Sequence, residues 1–177
     1  MNKIALIALA SIAGVASAQP ASFIDLGTIG GEGSYTFDTN GTEAFLFGAP
    51  NTFVDTELGL YDAAGNVLDS NDDGGDGFLS SITATLSAGV YYLAVSEFDS
   101  VFEDGFINSG SNYEDGDTHE IDLNINGALA GEATAGVDSS IGFENRTQFF
   151  AVTVVPAPAA AGILALGGLV ATRRRRA

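Results

Sequence analysis

The plainest capacity for chemistry in this sequence lies in one loop, Asp69-Ser70-Asn71-Asp72-Asp73-Gly74-Gly75-Asp76. Asp69, Asn71, Asp73 and Gly74 reproduce the first half of the calcium pattern D-x-[DN]-x-[DN]-G. Hard oxygen donors two residues apart let a single loop wrap Ca2+, and the glycine permits the sharp bend. Asp76 adds a further carboxylate. The second half of the pattern is missing: its twelfth position is Ser80, where a bidentate Glu is required, and no helical periodicity flanks the loop. An EF-hand is therefore excluded. Two readings stand. Asp69, Asn71, Asp73 and Asp76 are candidate ligands of a calcium site carried on a β-loop, with calcium as the one cofactor in view. Equally, Asp, Asn and Gly are the ordinary residues of a solvated connection between two strands.

Other reactive groups are few. There is no Cys, which excludes a disulfide framework, a thiolate metal site and a cysteine nucleophile. His119 is the only histidine; beside Asp117 and Glu120 it reads as a metal ligand or as a surface residue on a strand edge. No G-x-S-x-G occurs, and any Ser-His-Asp triad would have to recruit His119. Asp115 and Asp117 are the candidate pair for a carboxylate-dependent hydrolase, but in so acidic a chain some carboxylates approach one another by chance. The reading adopted is a non-catalytic protein. Net charge is −17, and Arg146 is the only basic residue between Lys3 and the arginines that close the chain, against 23 acidic ones. Such a surface repels nucleic acid and anionic lipid and attracts cations, so no nucleic-acid partner is expected.

The elements that must position these groups read as short strands. Ser22 to Leu26, Gly33 to Thr39 and Glu43 to Phe47 are rich in Phe, Tyr, Ile and Thr, and Asn40-Gly41 between the last two signals a hairpin. From Asp55 to Phe98 the pattern is clearest. Leu58 and Leu60 alternate with Glu57 and Gly59, Asp62 to Asn66 turns, and Val67 and Leu68 return. Ile82, Ala84 and Leu86 alternate with Ser and Thr, Ser87-Ala88-Gly89 turns, and Tyr91, Leu93 and Val95 continue the period of two. Asp99 to Glu120 reads as a long polar loop with one short strand. His119 to Asn126 alternates again, Gly127 to Ser140 reads as loop, and Thr147 to Val155 reads as a last strand. Leu58, Leu60, Leu68, Ile82, Leu86, Tyr91, Leu93, Val95, Leu123 and Ile125 form the expected core. Many short strands with regular turns predict an all-β fold, a sandwich rather than an α/β arrangement.

The run LGLYDAAGNVLDSNDDGGDG followed by LSSITATLSAGVYYLAVSEF resembles the bacterial pre-peptidase C-terminal (PPC-like) domain group. That group shows an apolar strand, YDxxGN, an Asp/Asn-rich loop, then L-x-AGxYYLxV; the likeness covers about a quarter of the chain. The resemblance implies an antiparallel jelly-roll-like β-sandwich, not itself catalytic, of the kind appended to secreted proteins; some members of the group bind calcium. These 177 residues are not expected to include a peptidase domain.

The two ends read as addresses. Residues 1–18 join a basic start at Lys3, an apolar run from Ile4 to Val15 and Ala16-Ser17-Ala18, the pattern of a secretory signal peptide cleaved after Ala18. It predicts a signal helix, with the Sec machinery and signal peptidase as partners. Residues 156–177 begin Pro156-Ala157-Pro158, continue as an apolar run from Ala159 to Thr172 and end at Arg173, Arg174, Arg175, Arg176 and Ala177. The run is roughly 21 Å long as a helix, short of the ~30 Å hydrocarbon core of a bilayer, and the arginines favour the cytoplasmic side. Taken alone it reads as a weak membrane anchor. Proline motif, apolar helix and terminal arginines together resemble the PEP-CTERM sorting signal, with VPAP in place of the commoner VPEP. That resemblance implies cleavage near Pro156 to Pro158 by an exosortase after transient anchoring in the inner membrane.

The sequence thus predicts a precursor in three parts, 1–18, 19–155 and 156–177. The middle part is an exported β-sandwich, extracellular or on the cell surface, associated with exopolysaccharide or the envelope matrix. The alternatives are a carbohydrate-binding module using exposed Tyr92, Phe102, Phe106 and Tyr113, or the hydrolase above.

Overall fold

The computed structural model describes residues 19–42, 45–46, 49–50, 54–98, 100–109, 118–138 and 144–157. The expected signal helix, the sorting helix, Ala18, Pro158, the four terminal arginines, and Tyr113, Asp115 and Asp117 lie outside them. The described residues form strands and turns without a helix, and hence none long and apolar enough to cross a membrane.

Two five-stranded sheets carry the fold. The first runs, edge to edge, β1 (Ile24–Gly31), β14 (Gln148–Val155), β8 (Gly89–Glu97), β5 (Thr56–Asp62) and β6 (Val67–Asn71). The second runs β13 (Glu144–Arg146), β12 (Ala128–Asp138), β11 (Thr118–Ile125), β2 (Gly33–Asp38) and β7 (Ser81–Leu86). Two small ribbons pair β9 (Val101–Glu103) with β10 (Ile107–Ser109), and β3 (Phe45–Leu46) with β4 (Ala49–Pro50). Pairing is antiparallel except where β1 lies parallel to β14, so the expected purely antiparallel arrangement is corrected at that edge.

Period-two alternation builds the core. Leu58 and Leu60 of β5, Leu93 and Val95 of β8, and Phe150, Val152 and Val154 of β14 meet Tyr35 and Phe37 of β2, Ile82 and Leu86 of β7, and Ile121 and Leu123 of β11 in one buried cluster. Each such side chain contributes about 1.5–3 kcal/mol by leaving water. Tyr91 and Ile125 join as partly buried neighbours. Leu68, expected in the core, is exposed. Tyr61 pairs with Val67 but Leu60 with Asp69, so Leu68 is the extra residue of a β-bulge on an edge strand.

The first sheet is also buried on its outer face. Tyr61, Tyr92, Ala94, Phe149 and Ala151 form a second cluster there, covered by Phe102 and Phe106 of the β9–β10 ribbon. Strands covered on both faces lose their alternation, which is why Tyr-Tyr-Leu-Ala-Val and Phe-Phe-Ala-Val read as continuous apolar runs. Tyr92 is accordingly only 2 % exposed, against the expectation of a surface ring.

Two turns also correct the sequence reading. Asn40-Gly41 forms no hairpin: Thr42 N–H donates to Thr39 O, and the strands that flank β2 are β7 and β11. The other Asn-Gly pair does form one. Asn126 and Gly127 both hold positive φ (52° and 74°) and join β11 to β12. Gly127 to Ser140, expected as loop, is thus largely the eleven-residue strand β12.

Candidate metal centre

Strand β5 enters the first sheet from Asp55. The entry is fixed from both sides: Thr56 N–H donates to Phe78 O at 3.0 Å, and Phe98 N–H donates to Asp55 O at 3.1 Å. The loop that leaves β6 folds back over this point. Its anchor is a buried hydroxyl knot in which Thr39 Oγ1 and Thr56 Oγ1 lie 2.7 Å apart and both accept from Ser80 N–H. Ser80 Oγ in turn faces the carbonyl oxygens of Thr56, Asn71 and Asp72. The hydroxyl carries a single proton, so it donates to one of these carbonyls at a time.

The result is a group of three carboxylates, from Asp55, Asp72 and Asp73, with one oxygen of each within 4.8 Å of the others. Asp72 and Asp73 are exposed, whereas Asp55 is 9 % exposed and its Oδ1 is buried with no hydrogen-bond partner. Burial, then the charges of Asp72, Asp73 and Glu97, push the Asp55 carboxyl up to about 6. Burial and Asp73 also raise Asp72. The basic residue available to the described domain, Arg146, is in β13, on the edge of the second sheet opposite to β7, the edge that neighbours β6.

Beside the carboxylates a cavity of about 290 Å³ is lined by Glu57, Ser70, Asn71, Asp72, Ser100 and Phe102. Its floor is the outer face of β5 and β6, and Phe102 of the ribbon closes one side. Asp72 borders both the cavity and the carboxylate group.

The ligands expected from sequence are redistributed. Asp73 belongs to the group. Asn71 is a structural residue: its Oδ1 accepts from Gly74 N–H at 2.8 Å and from Ser81 N–H at 2.9 Å, which occupies both lone pairs. Asp69 is exposed on β6 across from Leu60, with Oδ1 accepting from Ser70 N–H. Asp76 is held through its backbone, whose N–H donates to Asn40 Oδ1 at 2.8 Å. Neither Asp69 nor Asp76 is in the group of three. Asp55 and Asp72 were missed because no spacing rule links Asp55 to a loop on the far side of a hairpin. The available signal was a carboxylate directly before a strand whose Leu58, Leu60 and Tyr61 are buried. His119 lies in β11 across from Ala135, and its side chain is outside what is described.

The arrangement suits a hard divalent cation through oxygen donors. Of the aromatics named for glycan binding, Tyr92 is buried and Phe102 and Phe106 pack on Tyr61, with ring centroids at 6.4 and 5.2 Å. Comparison of the chain with family models, with curated proteins and with solved structures gives no match.

Proposed function

We propose that this chain is an exported, non-catalytic surface protein: a β-sandwich carried between a signal peptide and a PEP-CTERM-like sorting tail, processed by an exosortase and retained with exopolysaccharide or the envelope matrix. The observation that carries the reading is the place of β14. That strand sits within the first sheet between β1 and β8, ends at Val155, and is followed at once by exposed Pro156. Cleavage near Pro156 to Pro158 would therefore leave every described strand in place. The two terminal sequence patterns support the same reading, and the strongly acidic middle suits a surface protein that gathers cations.

The chain crosses between the sheets repeatedly, with β1 in the first, β2 in the second, β5 and β6 in the first, β7 in the second, β8 in the first, β11 to β13 in the second and β14 in the first. This winding favours the jelly-roll-like description and, with it, the PPC-like resemblance. The carbohydrate-binding alternative is weakened by the engagement of Tyr92, Phe102 and Phe106 in the outer cluster.

Processing is tested by placing one epitope tag inside the Gly127 turn and a second after Ala177, then fractionating a host that carries an exosortase. The expected product is outside the inner membrane, keeps the first tag and lacks the second. A doubly tagged product held in the inner membrane would replace this reading with a simple anchor.

A further inference from the structure

We infer that Asp55, Asp72 and Asp73 form a binding site for one divalent cation of the calcium class, which joins the β6–β7 loop to the start of β5. The site differs from the continuous loop motif and stands on geometry that the loop alone does not have.

Three observations converge. The first is distance. Oxygen ligands lie about 2.3–2.6 Å from Ca2+, so donors on opposite sides of one ion are ~4.6–5.2 Å apart. Oxygens of the three carboxylates fall within 4.8 Å of one another. The second is the state of Asp55. A carboxylate oxygen of a nine-tenths buried residue without a hydrogen-bond partner is costly, and here that residue belongs to a group with two further acids. The third is charge: three carboxylates share one place, and among the described residues the one arginine, Arg146, belongs to β13, at the opposite edge of the second sheet from β7; a bound cation relieves that repulsion.

Calcium is favoured over magnesium. Two of the three ligands lie on a loop rich in glycine and without regular structure, which suits a large ion with variable coordination; Mg2+ demands near-ideal octahedral geometry at about 2.0–2.1 Å and gives up water reluctantly. The adjoining cavity of about 290 Å³, which shares Asp72, has room for the waters that complete a calcium shell.

The test uses the full chain, purified in non-ionic detergent and stripped with EDTA. Calcium chloride and magnesium chloride are titrated by calorimetry, and thermal unfolding is followed by tyrosine near-UV circular dichroism. The expected result is one calcium per chain, weaker magnesium binding, and a Tm rise of about 8 °C when calcium is a hundredfold above its Kd. Asp55→Asn and Asp73→Asn should each lose the calcium heat and the Tm rise, whereas Asp69→Asn and Asp76→Asn should keep both. Asp73 is exposed, so its variant remains informative if Asp55→Asn proves hard to fold. No calcium heat in the parent chain overturns the inference. So does calcium binding that survives Asp55→Asn and Asp73→Asn, or that is lost in Asp69→Asn and Asp76→Asn instead.

Discussion

Phe150 Cε1 fills the space in which a side chain on Gly131 would begin: a Cβ on that glycine would stand 2.8 Å from it, and 3.4 Å from Leu26 Cδ2. Gly131 belongs to β12 in the second sheet and Phe150 to β14 in the first, so this is a point where the two sheets close on each other. The ring is fully buried and cannot swing into solvent. Gly131→Ala should therefore cost about 1–3 kcal/mol through overpacking, measured by urea unfolding. Phe150→Leu is also destabilising, but the double variant should be less damaged than the two single effects added together, because the shorter side chain relieves the contact. Strict additivity would show that the two residues do not share the space.

Phe106 pins the β9–β10 ribbon to the first sheet. Its ring lies 5.2 Å from Tyr61, 5.1 Å from Tyr92 and 6.0 Å from Phe149, centroid to centroid, and its backbone takes a positive φ of 62° to reach them. Gly105 N–H donates to Gly65 O at 2.7 Å, and Val67 N–H donates to Asp104 Oδ1 at 2.8 Å, so the ribbon is also tied to the β5–β6 turn. Phe106→Ala should lower stability by about 2–4 kcal/mol. Amide exchange should rise first in 101–109 and only later in the core strands. Uniform acceleration across the chain would mean that the ribbon is part of the global folding unit.

These relationships mark what was legible in the sequence and what was not. Strands with one wet face announced themselves: Ile82 to Leu86 and Ile121 to Ile125 alternate because one side meets water. Strand β12 did not: Gly131 answers to the close approach of Phe150 and Leu26, and a composition rich in Gly and Ala also describes a loop. The outer aromatic cluster was also hidden. Tyr92 looks like the polar-side residue of an alternating strand until a distant ribbon is known to cover it. For the candidate site, the loop was visible and Asp73 was named. Asp55 was not, since its burial beside Asp72 depends on the β5–β6 hairpin folding the chain back on itself.

The two Asn-Gly pairs give a direct test of local against tertiary control. Asn126 holds a φ of 52°, its N–H donates to Thr36 O at 2.8 Å, and its Oδ1 accepts from Thr36 N–H at 3.0 Å. Asn126→Ala loses the acceptor and puts in the left-handed region a residue that lacks the short polar side chain by which Asn tolerates it, together about 2 kcal/mol. Asn40→Ala removes the acceptor for Asp76 N–H in an exposed loop, about 0.5–1 kcal/mol. Denaturant midpoints of the two variants should differ in that order; equal losses would mean that Asn40 also holds the loop in a way its hydrogen bond does not express.

Asp55 and Asp62 should impose opposite pH dependences on the cation-free protein. Burial first, with the charges of Asp72, Asp73 and Glu97 acting in the same sense, raises Asp55 from an ordinary value of 3.8 to about 6. Between about pH 4 and pH 6 the folded state then binds more protons at this position than the unfolded state, so stability falls as pH rises through that window and levels off above it. The total is no more than about 3 kcal/mol. For Asp62, burial acts upward but is outweighed by hydrogen bonds from the Asn66 side chain and from the backbone of Asn66, Ala64 and Gly65, and the carboxyl is held below its ordinary value. Its contribution is present above about pH 4 and is lost on further acidification. Urea midpoints in EDTA should therefore decline from pH 4.5 to 6.5, and Asp55→Asn should abolish the decline while leaving the acid-side loss due to Asp62. Calcium should invert the slope, because the ion binds the deprotonated carboxylates and competes with the proton on Asp55. A decline from pH 4.5 to 6.5 that persists in Asp55→Asn would assign the extra bound proton to Asp72 instead.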